Sequence, residues 1–347
     1  MTEIEATVQP APEELTPNVS GEVSGERRWQ SFVGLLGFFA FLLLVAGGVW
    51  YAFGDSGFQK SAHGIFSGAL GVLDRTLIRE IFLNPWFYAV FGLVILLERL
   101  IPAKEGQGAL ARGVKNDAGW VVLKLLMNAW FLPFYIVFLR FLYERHLSFL
   151  TLHSIQSWPW IARVMLGVLV GDFLFYISHV VRHHVPVLWY FHAVHHSQKE
   201  LNFFTEYRVH PLDDVFIYTI GFIPLFMVEP STVSVIAIVW LRHWHTRLYH
   251  SNIRSNFGPL RYVLVTPQSH RVHHSIEPPH FDKNFGLTFS LWDHLFGTQY
   301  RGYDEYPDTG IDDPSFPFEQ DPGRLGYLGA IVGQFLYPFR AIARREG

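Results

Sequence analysis

The chain has 347 residues, of which 50% are hydrophobic, 17% aromatic and only 16% charged, well below the ~25% charged content of an ordinary soluble domain. Lys and Arg total 27 against 30 Asp and Glu, a formal net charge of -3 that excludes the basic surface of a nucleic-acid binder. Cysteine is absent, which excludes disulfides, thiolate metal sites, iron–sulfur clusters and a cysteine nucleophile.

Residues 1–28 hold Pro10, Pro12 and Pro17 among Glu and Ser, a composition that cannot bury a core and predicts a disordered tail. Phe32–Phe53 follows without a charge and is long enough to span a bilayer. It does not read as a cleaved signal, because no small-residue cleavage site closes it. A second apolar run, Ile81–Leu97, is closed by Glu98-Arg99 and Pro102. A third, Trp120–Leu142, is interrupted by Lys124, Asn128 and Pro133. A fourth, Ile161–Val181, carries Asp172 and His179, both expensive in lipid. The fifth, Val215–Leu241, is broken by Glu229-Pro230 and reads as two half-helices, Val215–Met227 and Thr232–Trp240, in a re-entrant hairpin; one kinked span is the alternative. Tyr303–Pro322, rich in Asp, Pro and Gly, predicts an extended surface segment, and Leu325–Arg345 an interfacial helix.

The expected architecture is an all-α integral membrane protein. It has about four transmembrane helices, a re-entrant helical hairpin and a His-rich helical cap on the cytoplasmic side. Arg27 and Arg28 before the first span, and Arg99, Lys104, Arg112 and Lys115 after the second, set that orientation, against Lys60, Arg75 and Arg79. The expected divisions are the tail 1–28, transmembrane helices over 29–160, a catalytic domain over 161–300 and an extension over 301–347.

Fifteen of the 18 histidines fall between His179 and His294. His179 and His183 stand four apart, on one helical face and within reach of one ion. His192, His195 and His196, and later His270, His273 and His274, repeat the spacing i, i+3, i+4 in near-identical His-X-Val-His-His-Ser segments. Eight imidazoles in three clusters exceed what one metal coordinates, so two ions are the natural capacity. Imidazole suits iron, zinc, copper and nickel alike. No carboxylate lies within the clusters, so a hydrolytic zinc site would lack an obvious base, although Glu206, Asp213 and Glu277 are near in sequence. His63, His146 and His153 stand outside the pattern.

The His-X3-His, His-X2-His-His and His-X2-His-His order behind several apolar runs resembles the fatty acid hydroxylase/sterol desaturase superfamily. Asp172-Phe-Leu-Phe-Tyr-Ile-Ser-His179, Pro186-Val-Leu-Trp-Tyr-Phe-His192, Thr266-Pro-Gln-Ser-His270, Asp282-Lys-Asn-Phe-Gly286 and Leu291-Trp-Asp-His-Leu-Phe-Gly-Thr298 agree with it, over roughly residues 85–300. The likeness extends to bacterial sterol-desaturase-like members and to alkylglycerol monooxygenase. The resemblance implies a non-haem di-iron centre that uses O2 to hydroxylate or desaturate a lipid (a sterol, fatty acyl or ether lipid), or to cleave an ether. A separate redox partner protein would supply the electrons. It implies metal ligation by His179, His183, His192, His195, His196, His270, His273 and His274, with no catalytic residue beyond the ligands. His184 competes with His183, which is preferred because the downstream spacing then aligns. The segment between the last two clusters adds His245 as the better further ligand and His250 as the next. His210, Asp172 and Asp293 are expected to orient ligands through hydrogen bonds. The expected location is a membrane, the cell inner membrane if bacterial, with the catalytic face cytoplasmic. A zinc-dependent membrane hydrolase and a metal transporter are the competing functions. Transport is disfavoured because the clusters lie past a span end and in polar loops.

Overall fold

The computed structural model describes residues 50–51, 54–60, 63, 85–107, 113–228, 232–318 and 326–345. The tail 1–28, nearly all of Phe32–Phe53, Arg75, Arg79 and the Glu229-Pro230 break lie outside them. Among the described residues all regular structure is helical. No strand forms, and three isolated bridges pair Pro102 with Ile253, Leu264 with Phe289 and Ser275 with Thr309.

Helix α1 covers Pro85–Leu100, running through Glu98-Arg99 and stopping before Pro102. Its 16 residues reach about 24 Å, short of a ~30 Å hydrocarbon core. Three longer helical stretches have the length and apolar content to cross a membrane: Val114–Leu150, Trp160–His184 and Pro211–Val228.

The first of these joins α2 (Val114–Leu126) and α3 (Leu132–Leu142), and Pro133 does not end it. Residues Met127–Phe131 widen into π register, with the Leu132 N–H reaching the Met127 carbonyl, which accommodates a proline that has no N–H to give. The polar residues that interrupt this run are paired. Lys124 is bound to Asp214, and Asn128 accepts the Tyr218 hydroxyl at 3.1 Å.

Helix α4 (Trp160–His184) has two halves of different character. Ile161, Met165 and Leu169 face outward in the first, while Asp172, Tyr176, His179 and Arg182 are buried in the second. A bend at Val185 leads into α5 (Pro186–His196), which opens on the proline that favours a first helical turn. Helix α6 (Pro211–Val228) packs against α4. At Gly221 the two approach so closely that a Cβ would lie 2.4 Å from the Phe175 ring. Helix α7 (Thr232–His250) runs ten residues past the expected end at Trp240. The apolar pattern stops there, but no proline or glycine follows to stop the helix.

Helix α8 (Pro267–His273) is short and firmly started, with Thr266 and Ser269 forming a reciprocal capping box. Helix α9 (Leu291–Phe296) ends at Gly297 in the left-handed conformation (φ 76°). The final helix, α10 (Gly326–Arg345), exposes Leu328, Val332 and Phe339 on one side. Its other side buries Tyr337 and Ala341 with Trp120 of α2 and Tyr190 of α5. Gln334, fully buried, accepts from Asn116 (2.7 Å) and Trp120 (2.9 Å).

The segment 303–318 is extended as expected, but it is not merely surface. Phe316 is buried, Thr309 Oγ1 donates toward the carbonyls of Gln198 (3.1 Å) and Lys199 (3.0 Å), and Gly310 N–H donates to the His274 carbonyl at 3.1 Å. The strap ties the ends of α5 and α8 together. Asp117 of α2 holds the α5 end from the other side, accepting from Arg208 (2.7 Å), Gln198 (2.6 Å) and Asn202 (2.8 Å).

Candidate metal centre

Four elements deliver histidines to one place. Helix α4 brings His179 and His183, whose rings lie 5.2 Å apart as the four-residue spacing requires. Helix α5 brings His192, His195 and His196, α8 brings His270, His273 and the following His274, and the end of α7 brings His250.

They form two groups, each able to hold an ion. His179, His183, His192, His196 and His273 make one; His195, His250, His270 and His274 make the other. Within each group, one nitrogen per residue lies within 4.8 Å of all the others. The groups adjoin, since the rings of His196 and His274 stack at 4.2 Å across them.

The ring orientations are fixed from outside. His179 Nδ1 donates to the Phe285 carbonyl (2.8 Å), His273 Nδ1 to the Lys283 carbonyl (2.9 Å) and His250 Nδ1 to the Thr246 carbonyl (2.8 Å). His192 Nδ1 lies 3.0 Å from Asp213 Oδ2 and 2.9 Å from Arg182 Nη1, which itself donates to that carboxylate oxygen at 3.1 Å; with its proton on Nδ1 the ring donates to Asp213. With the outer nitrogen protonated, the inner Nε2 of each of these four rings presents a lone pair. Inner Nε2 atoms face one another across the site: His179 to His192 at 3.1 Å, His250 to His195 at 3.2 Å and to His270 at 2.8 Å, and His270 to His274 at 3.0 Å.

Burial, with adjacent imidazoles adding to it and Arg182 adding at His192 and His195, holds His192, His195, His196, His270 and His274 well below the usual 6.5. Burial also brings His273 to about 4. The rings are neutral at physiological pH. His183, His196 and His273 each have a buried Nε2 with no hydrogen-bond partner. Convergent lone pairs on neutral rings repel and leave buried acceptors unsatisfied, a cost that a cation placed among them removes. The donor set, all imidazole nitrogen, fits a first-row transition metal.

Nine of the ten histidines singled out from sequence are thus brought together. His245 is not among them, because its Nε2 donates to the Val265 carbonyl at 2.9 Å, while His250, one turn further along α7, points into the site. The order of preference between these two is reversed. His183 is grouped, whereas His184 is exposed with its Nδ1 2.9 Å from the Val180 carbonyl.

His210 does not touch a grouped ring. It packs between Phe191 and Phe335 and donates to the Phe335 carbonyl at 3.1 Å, fastening α10. Asp172 and Asp293 likewise hold backbone N–H groups and one side chain each, Trp292 and Thr298, rather than imidazole. Asp172 accepts from Thr288, Phe289 and Trp292, and Asp293 from Phe285, Gly286 and Thr298. The carboxylate that does touch a grouped ring is Asp213, which sequence reasoning considered only as a nearby base. Its signal was the Asp213-Asp214 pair at the head of an apolar helix, where charge is costly without a partner. Glu206 is bound to His243 and Arg247, and Glu277 is exposed; neither belongs to the groups.

The family model for fatty acid hydroxylases matches residues 164–298, from the first turns of α4 to just past α9. Among characterised proteins, the ornithine lipid hydroxylase OlsE of Rhizobium tropici is 30% identical over 192 residues, covering 55% of this chain and 54% of that protein. Alkylglycerol monooxygenase of Homo sapiens is 30% identical over 258 residues, covering 73% of this chain and 54% of its own length. Methylsterol monooxygenase 1 of Rattus norvegicus is 30% identical over 148 residues, covering 42% and 50%. The matched region spans about half the length of each relative. No solved structure matches the chain significantly. The segment that carries eight of the nine converging histidines from end to end, together with His250 between them, is a fatty acid hydroxylase domain.

Proposed function

We propose that the protein is a membrane-bound lipid monooxygenase that uses O2 at a di-iron centre held by His179, His183, His192, His196 and His273 on one side and His195, His250, His270 and His274 on the other. The observation that carries this reading is the pair of adjoining groups of buried, neutral, inward-facing imidazoles. Two iron ions bound there would supply the oxygen activation that acid–base side chains lack. The chain's own part is to fix the rings through Asp213 and the carbonyls of Phe285, Lys283 and Thr246, and to keep water from the site with surrounding apolar helices.

The relatives named for ornithine lipid, alkylglycerol and methylsterol chemistry support a lipid substrate with a strong C–H bond. Hydroxylation takes one lipid C–H, O2, two electrons and two protons to a lipid C–OH and water; a separate redox protein is the electron source. Desaturation is the other outcome of the same chemistry. In this reading residues 161–300 are the catalytic unit, 29–160 the membrane anchor and 301–347 an extension that braces it, with the catalytic face cytoplasmic.

The test is lipid mass spectrometry of membranes from cells with and without the protein, grown under ¹⁸O2. One ¹⁸O atom gained in a lipid, dependent on His195, is the expected result. A lipid product formed equally without O2 would make the activity hydrolytic and overturn the reading. Single cysteines replacing Lys199 and Pro278, both exposed, should react with the same impermeant reagent from the cytoplasmic side only.

A further inference from the structure

The two imidazole groups differ in what stands behind them. In the five-membered group three outer nitrogens are anchored, those of His179, His192 and His273. In the four-membered group His250 alone is anchored in this way; the Nδ1 atoms of His195, His270 and His274 are buried and meet no acceptor among the described residues. That group also has one ligand fewer.

The anchors differ in kind as well. Where His179, His273 and His250 meet neutral carbonyls, His192 Nδ1 meets an ion pair, with the Asp213 carboxylate at 3.0 Å and the Arg182 guanidinium at 2.9 Å. Asp213 is 3% exposed and its charge is held in place by Arg182, itself equally buried. A carboxylate behind an imidazole fixes its tautomer and orientation, and makes the inner nitrogen a stronger electron donor than a carbonyl does.

Resting on the reading of both groups as ion sites, we infer that the two positions are unequal. The five-histidine position retains its ion, the four-histidine position exchanges it, and Asp213 is the positioning residue that sets the gap. A one-ion form, filled at the five-histidine position, is the first state reached on loading and the last lost on chelation.

The experiment uses the full chain, purified in detergent, loaded anaerobically with ferrous iron and titrated with a ferrous chelator while iron retained per chain is counted. The parent should lose iron in two steps separated by at least about tenfold in chelator concentration. His274→Gln should remove the weak step and leave the tight one. Asp213→Asn should move the tight step by about 10- to 100-fold toward the weak one, a loss that Asp213→Glu partly restores because it keeps the charge. A merely structural role for Asp213 would shift the melting temperature and leave the separation of the two steps as it was. One simultaneous step from the folded parent, or loss of the tight step in His274→Gln, overturns the inference even if Asp213→Asn fails to fold. A folded parent that binds no iron fails the underlying reading of the groups instead.

Discussion

Asp293 holds Phe285 by its backbone: Oδ1 accepts the Phe285 N–H at 2.7 Å, and the carbonyl of that same Phe285 receives the His179 Nδ1 proton at 2.8 Å. Oδ2 takes the neighbouring Gly286 N–H at 2.8 Å, and Thr298, which also bonds Tyr176 of α4, donates to Oδ1. One carboxylate therefore sets the position of an imidazole it never touches.

Asp293→Ala leaves buried N–H groups of Phe285 and Gly286 without acceptors, at about 1–3 kcal/mol each. The expected result is a lower melting temperature together with weaker iron retention at the five-histidine position. Melting curves and iron counts on the same samples check it; unchanged iron would show that the Phe285 carbonyl stays in place without its carboxylate.

His245 and His250 should separate cleanly. His250→Ala removes one of four nitrogens and should lower iron content by up to one ion per chain, whereas His245→Ala should keep full iron and lose only the bond to Val265, about 1 kcal/mol. Iron analysis of the two single variants decides between them, and an equal loss in both would contradict the arrangement of α7.

Gln334→Leu keeps the size of the side chain but strands the Asn116 amide and the Trp120 indole N–H in the interior. Destabilisation of about 2 kcal/mol or more is expected, measured by thermal unfolding in detergent. Because α10 also packs on α5, iron binding should become sensitive to the same mild heating.

His210 gives a pH dependence with a definite sign. Burial holds it at about 4 in the folded chain, against 6.5 when unfolded. Below pH 6.5 the unfolded chain takes up the proton first, so the contribution of neutral His210 is full above that pH and is lost as pH falls toward 4. At roughly 1.4 kcal/mol per pH unit this amounts to about 3 kcal/mol over the window. His210→Gln, which can still donate to Phe335 and does not titrate, should flatten the fall in melting temperature between pH 6.5 and 4. Identical slopes would place the acid sensitivity elsewhere.

The histidine order was legible because its chemistry is local: spacings of three and four residues put rings on one helical face wherever the helix goes. The apolar runs were legible for a similar reason, since length and lack of charge suffice to mark Trp160–His184 and Pro211–Val228. What periodicity could not carry was pairing between distant positions. Asp213 meets His192 across 21 residues, Asp293 acts through a peptide, and Gln334 meets Asn116 across 218. His245 and His250 match the same resemblance, and only the rotation of α7 distinguishes them. Residues 303–318 look like surface by composition, yet Phe316 and Thr309 are drawn inward by contacts made to α5 and α10.

Helix α4 joins lipid and imidazole in a single rod. Its outward apolar residues, Ile161, Met165, Leu169 and Ile177, share one helix with the buried His179, and Leu169 and His179 are ten positions apart, about 15 Å along the axis. Depth is therefore a quantity the backbone itself meters. A bilayer thick or thin enough to tilt or shift the rod carries the imidazoles with it, and changes which part of a lipid lies level with them.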